Sequence, residues 1–282
     1  MKLELNKYIK SQKSFGEIKL FREMQLYLSS KYICTFIAET HQQYVSFLSP
    51  STKCNIKREL SDLWIIVYSP RNKKAKMTFL QAKFEKNKTP IRIPFNFKGD
   101  YFQYDLLSKR PQIKSLGKIK FPNTILSNAL LDSVGSFGIF YFDYKNRLDF
   151  AYSTASDISF KKKANCKTKS RQLYFKSIGY NSTDIRLNKK AEVELRSTLN
   201  ADCFEFGLLN LLVGTPFEND KYTIFFLQNL FKNRNDEASI DFVKFLNIIN
   251  DNNNEIMSDN FTPNFSNILL INVDGRIEKA SR

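Results

Sequence analysis

Residues 62–84 read DLWIIVYSPRNKKAKMTFLQAKF. Two apolar runs rich in β-branched and aromatic residues, LWIIVYS at 63–69 and MTFLQAKF at 77–84, flank the polar, proline-containing PRNKK. That pattern predicts a β-hairpin turning near residue 73. In a strand, side chains two apart share a face, so Gln81 and Lys83 project together while Leu80, Ala82 and Phe84 point the other way into the core. Folding the hairpin brings Asp62 opposite the end of the second strand, near Lys83. One parity of register places Asp62 on the face of Gln81 and Lys83, and the other hides it. A buried carboxylate without a partner is costly, which favours the register that groups the three polar residues.

The grouping has a chemical use. An aspartate can hold Mg²⁺ (or Mn²⁺) with waters completing its octahedron, an amide oxygen can serve as a neutral ligand, and the metal lowers the pKa of a bound water. A lysine beside them can position or help deprotonate that water and offset charge in the transition state. These are the parts of a phosphodiester hydrolase.

Asp62, an 18-residue interval, then Gln81-Ala82-Lys83 on the second strand of a hairpin resembles the PD-(D/E)XK nuclease superfamily, in the QxK variant seen in Mrr-like restriction endonucleases and phage-defence effectors. The resemblance covers roughly residues 35–110. It implies that Asp62 is a metal ligand, Gln81 the second motif position and further ligand, and Lys83 the catalytic lysine. It also implies an additional acidic ligand, for which Glu39 on the preceding segment and Glu59 in RELSD are the candidates. The chain departs from the parent pattern in Ser61, where a proline precedes the aspartate, and in Gln81 itself. The implied fold is α/β, a restriction-endonuclease-like mixed sheet core flanked by helices. The implied activity is Mg²⁺-dependent cleavage of DNA, with a role in defence against foreign DNA. Arg58, Lys73, Lys74, Lys86 and Lys88 surround the motif and form the expected nucleic-acid-binding rim.

Charge supports a polyanionic partner. The formal net charge is +16, and it is unevenly distributed. Residues 1–200 hold 37 Lys and Arg against 16 Asp and Glu, a net of +21, whereas residues 201–282 hold 7 against 12, a net of −5. Phosphate contacts by Lys and Arg dominate affinity for nucleic acid. DNA is the expected partner. The acidic, mainly helical residues 201–282 are a candidate surface for a protein partner, and an oligomer fits equally well.

Other chemistries are poorly served. His41 is the only histidine, within IAETHQQYVSFL, and reads as helical, so a histidine-based triad or metal centre has little to draw on. No GxxxxGK[ST] or GxGxxG loop occurs. Cys34, Cys54, Cys166 and Cys203 lack zinc-site spacing and read as reduced thiols of a cytoplasmic protein. The amino terminus has no apolar leader and no stretch approaches the roughly 18 apolar residues that span a bilayer, so no membrane partner is expected.

The remaining pattern predicts a helix over 18–48, helices at 99–109 and about 122–134, a second hairpin from SFGIFYFDY and LDFAYS, an exposed loop at 161–171, helices at 187–200, 221–231 and 237–250, and a closing strand at 267–273. A boundary near 155 divides a nuclease core, 1–155, from a mainly helical accessory part, 156–282. Asp105, Asp202 and Glu205 read as surface charges or helix caps. Trp64 reads as a core residue. The alternative functions are a non-catalytic nucleic-acid-binding protein and a regulated subunit of a defence complex.

Overall fold

The computed structural model describes residues 1–11, 16–37, 43–85, 96–117, 120–160, 165–168, 170–175, 183–187, 192–250 and 267–276. In chain order, α1 (Lys2–Ser11) and α2 (Glu17–Ser29) lead into β1 (Tyr32–Ile37), β2 (Tyr44–Leu48), β3 (Asn55–Glu59), β4 (Leu63–Ser69) and β5 (Lys74–Phe84). Next come β6 (Asn96–Asp100), α3 (Tyr101–Lys109), β7 (Lys114–Ser115), β8 (Gly135–Phe142) and β9 (Leu148–Thr154). The chain continues through β10 (Ile158–Phe160), β11 (Ser170–Phe175), β12 (Thr183–Leu187), β13 (Val193–Thr198), α4 (Ala201–Leu209) and β14 (Thr215–Pro216). It closes with α5 (Lys221–Phe231), α6 (Glu237–Ile249) and β15 (Asn267–Arg276).

The β4–β5 hairpin lies in the middle of a nine-stranded sheet of order β1-β15-β4-β5-β8-β9-β13-β12, with β14 pairing β5. Pairing is mixed: β15 with β4 and β5 with β8 are parallel, and the other ladders are antiparallel. Both faces of the central strands are covered, which is why LWIIVYS is apolar throughout rather than alternating. One face, with Leu63, Ile65, Val67, Leu80 and Ala82, packs with Leu20, Phe21 and Met24 of α2 and Phe204 of α4. The other, with Trp64, Ile66, Tyr68, Met77 and Phe79, packs with α3, α5 and α6. At Gly138 the sheet has no room for a side chain, since a Cβ there would lie 2.5 Å from Cζ of Phe150 and 3.0 Å from Cδ2 of Leu80. Two three-stranded sheets, β10-β11-β6 and β3-β2-β7, lie beside the large one. No helix among the described residues is long and apolar enough to cross a membrane.

The mixed α/β architecture, the two hairpins, α3, α5, α6 and β15 follow the sequence pattern. Three helices do not. The helix expected over 18–48 ends at Ser29, and Tyr32–Ile37 pairs with β15 as a strand, its aromatic and β-branched side chains suiting a pleated surface. Over 122–134 the chain makes turns and a short 3-10 segment at Asp132–Val134. There Arg110 donates to the carbonyls of Ala129 and Leu131, and Thr215 Oγ1 accepts from the Leu131 amide, so the backbone groups a helix would satisfy are met elsewhere. Within the helix expected over 187–200, the described Val193–Thr198 form β13, held between β9 and β12, so the helix formers Glu194, Leu195 and Arg196 yield to sheet pairing.

The boundary expected near 155 falls just after β9, and strands from both sides of it, β9 and β13, are paired in the same sheet. Cys54 and Cys166, expected as free thiols, form a disulfide with Cα atoms 5.8 Å apart, while Cys34 and Cys203 are free. Asp105, expected at the surface, is fully buried and accepts hydrogen bonds from the hydroxyls of Ser49 (2.6 Å) and Ser51. Asp202 and Glu205 accept from the amino group of Met1 at 3.0 and 2.9 Å. The readings of His41 and of residues 86–95 lie outside the described residues, as do 161–164 and 169 of the basic loop.

Candidate active site

Leu63 pairs with Leu80 in the β4–β5 ladder, so the register places Asp62, one residue before β4, directly across from Gln81. Directly opposed residues share a face, which is the parity that groups Asp62 with Gln81 and Lys83. Leu80 and Ala82 point to the opposite face, as the alternation requires. The backbone of Asp62 is fixed on both sides: its amide donates to the Leu80 carbonyl at 3.2 Å, and its carbonyl accepts from Nδ2 of Asn267 at 3.2 Å. The non-local strand β15 therefore helps to hold the aspartate.

The side chains meet. Oδ2 of Asp62 accepts from the Ala82 amide at 2.8 Å and from Nε2 of Gln81. Because the Gln81 amide nitrogen faces the carboxylate, its oxygen turns away, and Oε1 is buried without a hydrogen-bond partner. Gln81 is only 1 % exposed, so that oxygen is desolvated and uncompensated. Lys83, two residues along and half-buried, is paired with Ile139 in the ladder, while its side chain makes no hydrogen bond or ion pair with a described residue. Its ammonium acts through space on both neighbouring acids.

Two further carboxylates interact with Asp62 through space. Glu59, at the end of β3 and half-buried, has its carboxyl pushed up to about 7, first by burial and then by the negative charge of Asp62, with the Lys83 ammonium pulling the other way. Asp62 is also raised above the ordinary carboxylate range, chiefly by burial, while Lys83 and the Ala82 hydrogen bond oppose the shift and the charge of Glu17 adds to it. Glu17 sits in the first turn of α2, the helix that precedes the sheet. Sequence pattern alone does not single it out, because α2 and the two strands after it read as one helix, on which Glu39 is the natural candidate. The start signal Gly16-Glu17 was the available clue. Glu39 lies outside the described residues.

The basic rim is only partly assembled. Arg58 is next to Glu59 on β3, but its Nε donates to both carboxylate oxygens of Asp100 (3.2 and 3.1 Å) and its guanidinium lies over the Phe102 ring. Lys57 beside it is exposed. Lys73 and Lys74 are exposed at the hairpin turn, seven residues along β4 from Asp62, or ~23 Å at the rise of a strand. Lys86 and Lys88 lie outside the described residues.

Oxygen donors from Asp62 and Gln81 suit a hard divalent cation, and Mg²⁺ needs only one or two carboxylates because it retains several waters. The orphaned Oε1 of Gln81 is an atom that such an ion would satisfy. Among the described residues no group of three or more His, Cys, Asp and Glu is close enough to hold a metal ion, so the fit rests on one carboxylate and the amide, with a second acid nearby. No family model matches the chain, and neither a curated protein nor a solved structure does.

Proposed function

We propose that the chain is a metal-dependent nuclease of the PD-(D/E)XK type, with a restriction-endonuclease-like core, that hydrolyses DNA phosphodiesters at the Asp62–Gln81–Lys83 cluster. The observation that carries this reading is the buried, unpartnered Oε1 of Gln81 beside the Asp62 carboxylate, with a half-buried lysine two residues away. Other buried polar atoms such as Trp64 Nε1 are unpartnered too, but Gln81 Oε1 is an oxygen beside both a carboxylate and a lysine.

Asp62 and Gln81 would hold Mg²⁺ or Mn²⁺, with Glu59 or Glu17 as the further acid. When bound, the ion lowers the pKa of a coordinated water and offsets charge on the phosphate. Lys83 orients the attacking water and places a positive charge where the phosphate gains negative charge. Ala82 and Gln81 donate to the same oxygen of Asp62, Oδ2, which leaves Oδ1 to ligate the ion. The net positive charge of residues 1–200 draws the polyanion to the protein.

The second reading, a nucleic-acid-binding protein without catalysis, is favoured by the absence of a three-residue metal group among the described residues. Supercoiled plasmid incubated with the purified protein and Mg²⁺ or Mn²⁺, beside an EDTA control, separates the two. Nicking or linearisation that EDTA abolishes supports the nuclease. Plasmid retarded but intact in every condition refutes it in favour of binding.

The pH dependence follows from Glu59. A carboxyl raised from its ordinary 4.5 to about 7 must lose a proton before it can ligate a cation. Cleavage at limiting Mg²⁺ is therefore expected to rise with pH through about 7, and Glu59→Gln to flatten that rise. Without metal the sign for stability is the reverse. A raised folded-state value favours the protonated form, so stability present below 4.5 is lost as pH climbs through about 7, and Glu59's partial exposure keeps the loss modest. Thermal melts across this range, with and without Mg²⁺, check it; a melting temperature rising from pH 5 to 8 without metal would contradict the assignment.

A further inference from the structure

The margin of the large sheet formed by β12 is built to match itself. Among the described residues β12 is paired only with β13, and no other described strand covers its outer backbone groups. Sheet edges are usually blunted by short length, charge (above all lysine), proline or a bulge. β12 is short and carries two charges, but it has no lysine or proline, and Asp184 and Arg186 are of opposite sign. Its sequence is TDIRL, and the register shift beside Asp184 and Ile185 puts the extra residue, Arg196, on β13. Ile185 is 41 % and Leu187 68 % exposed, and Val193, paired with Leu187, is exposed too. The opposite margin, β1, has no large apolar side chain among the exposed ones.

We propose that β12 pairs antiparallel with β12 of a second copy of this chain, forming a two-fold dimer through a continuous sheet. A strand pairing with itself about a two-fold axis has few registers, and charge selects one. Centred on Ile185, each Asp184 faces the other copy's Arg186, Thr183 faces Leu187, and Ile185 faces itself. Centred on Asp184 or on Arg186, the strand would set like charges directly opposite, which is destabilising. In the selected register the apolar residues Ile185 and Leu187 of both copies share one face, and the charged pairs occupy the other. Asp184 and Arg186 are already ion-paired within the strand, Nε to Oδ1 at 2.9 Å, so both ends of the intermolecular pair stand in place on that face. An isologous contact of this kind closes after two copies, whereas pairing β12 with a different edge would propagate. Five residues a side make a small interface, well under the ~800 Å² per partner of a standard one, so the dimer dissociates on dilution.

β8, β9 and β13 separate β12 from β5, so substitutions here leave the Asp62–Lys83 cluster untouched, and the proposal does not depend on the nuclease reading. Sedimentation velocity of the full chain over a concentration series is the test. Wild type is expected to shift towards twice the monomer mass as concentration rises. Asp184→Arg and Arg186→Asp, each of which sets like charges opposite, are expected to remain monomeric. The double exchange Asp184→Arg with Arg186→Asp, which restores opposite charges in the same register, is expected to recover the dimer. Circular dichroism verifies that each variant is folded. Should a single reversal fail to fold, Ile185→Cys decides independently. Self-opposed Cα atoms in an antiparallel pair lie ~4.5–5.5 Å apart, within disulfide reach. This variant is expected to cross-link between copies under mild oxidation well above the wild-type background, and Arg186→Cys is expected not to. A wild type that stays monomeric at every concentration, or a dimer indifferent to both single reversals, overturns the proposal.

Discussion

Lys83→Ala is expected to cleave plasmid DNA about 10²–10⁴-fold more slowly than wild type while losing little stability. The two halves of that expectation rest on one fact: the Lys83 side chain makes no hydrogen bond or ion pair with a described residue, so truncating it orphans no buried partner. Its work is electrostatic. The ammonium is the group that pulls the Glu59 carboxyl down against burial and the charge of Asp62, and it opposes the burial of Asp62 in the same way. Removing it should therefore push both acids further up. In Lys83→Ala the pH at which residual activity rises should move above the value near 7 expected for wild type. Lys83→Arg keeps the charge and should keep the pH profile, even where the bulkier guanidinium slows the reaction. A structural lysine predicts none of this. Asp62→Asn is expected to lose activity at least as severely, because it removes the anionic ligand, yet it retains an oxygen able to accept from the Ala82 amide. Wild-type cleavage by either variant would refute the assignment of this cluster as the active centre.

How much of this was legible in the sequence depended on the range of the interactions. The hairpin was readable because both its signals are local: two apolar runs and a polar turn between them. The polar cluster was half readable. Gln81 and Lys83 share a face by strand geometry alone, but the parity that brings in Asp62 is fixed by the pairing of Leu63 with Leu80 and by Asn267, which is 205 residues away. Glu17 was not read because the apolar spacing of α2 runs on through the Ser29-Ser30-Lys31 break into β1, and short apolar runs match both helical and extended templates. The same ambiguity produced the helix expected at 187–200. Glu194, Leu195 and Arg196 favour a helix in isolation, and pairing with β9 and β12 makes Val193–Thr198 a strand. NILLINV was correctly read as a strand, but its place between β1 and β4, parallel to β4, is a non-local fact.

Trp64→Ala is expected to have the opposite profile to Lys83→Ala, losing stability first and activity in consequence. Trp64 is the single tryptophan of the chain and is 2 % exposed on the face of the sheet that carries the cluster, two residues from Asp62. Its ring stacks on Phe79 at 5.0 Å and on Phe226 of α5 at 6.1 Å, with Phe121 also at 6.1 Å. Truncation removes the centre of that aromatic layer and leaves a cavity between α5 and the hairpin, for a loss of about 3–5 kcal/mol. For a chain of this size that lowers the melting temperature by roughly 10 °C. Trp64→Phe is the informative partner. Nε1 of Trp64 is buried with no hydrogen-bond partner, so phenylalanine deletes an unsatisfied donor while keeping a ring for Phe79 and Phe226 to pack on. Its loss should be only about 1–2 kcal/mol, with cleavage near wild type below its melting temperature. Denaturant unfolding followed by far-UV circular dichroism measures both variants. If Trp64→Ala unfolds at the wild-type midpoint, the aromatic layer does not hold α5 against the hairpin. If Trp64→Phe instead loses activity at full stability, the indole itself contacts the substrate and the site extends beyond the Asp62 cluster.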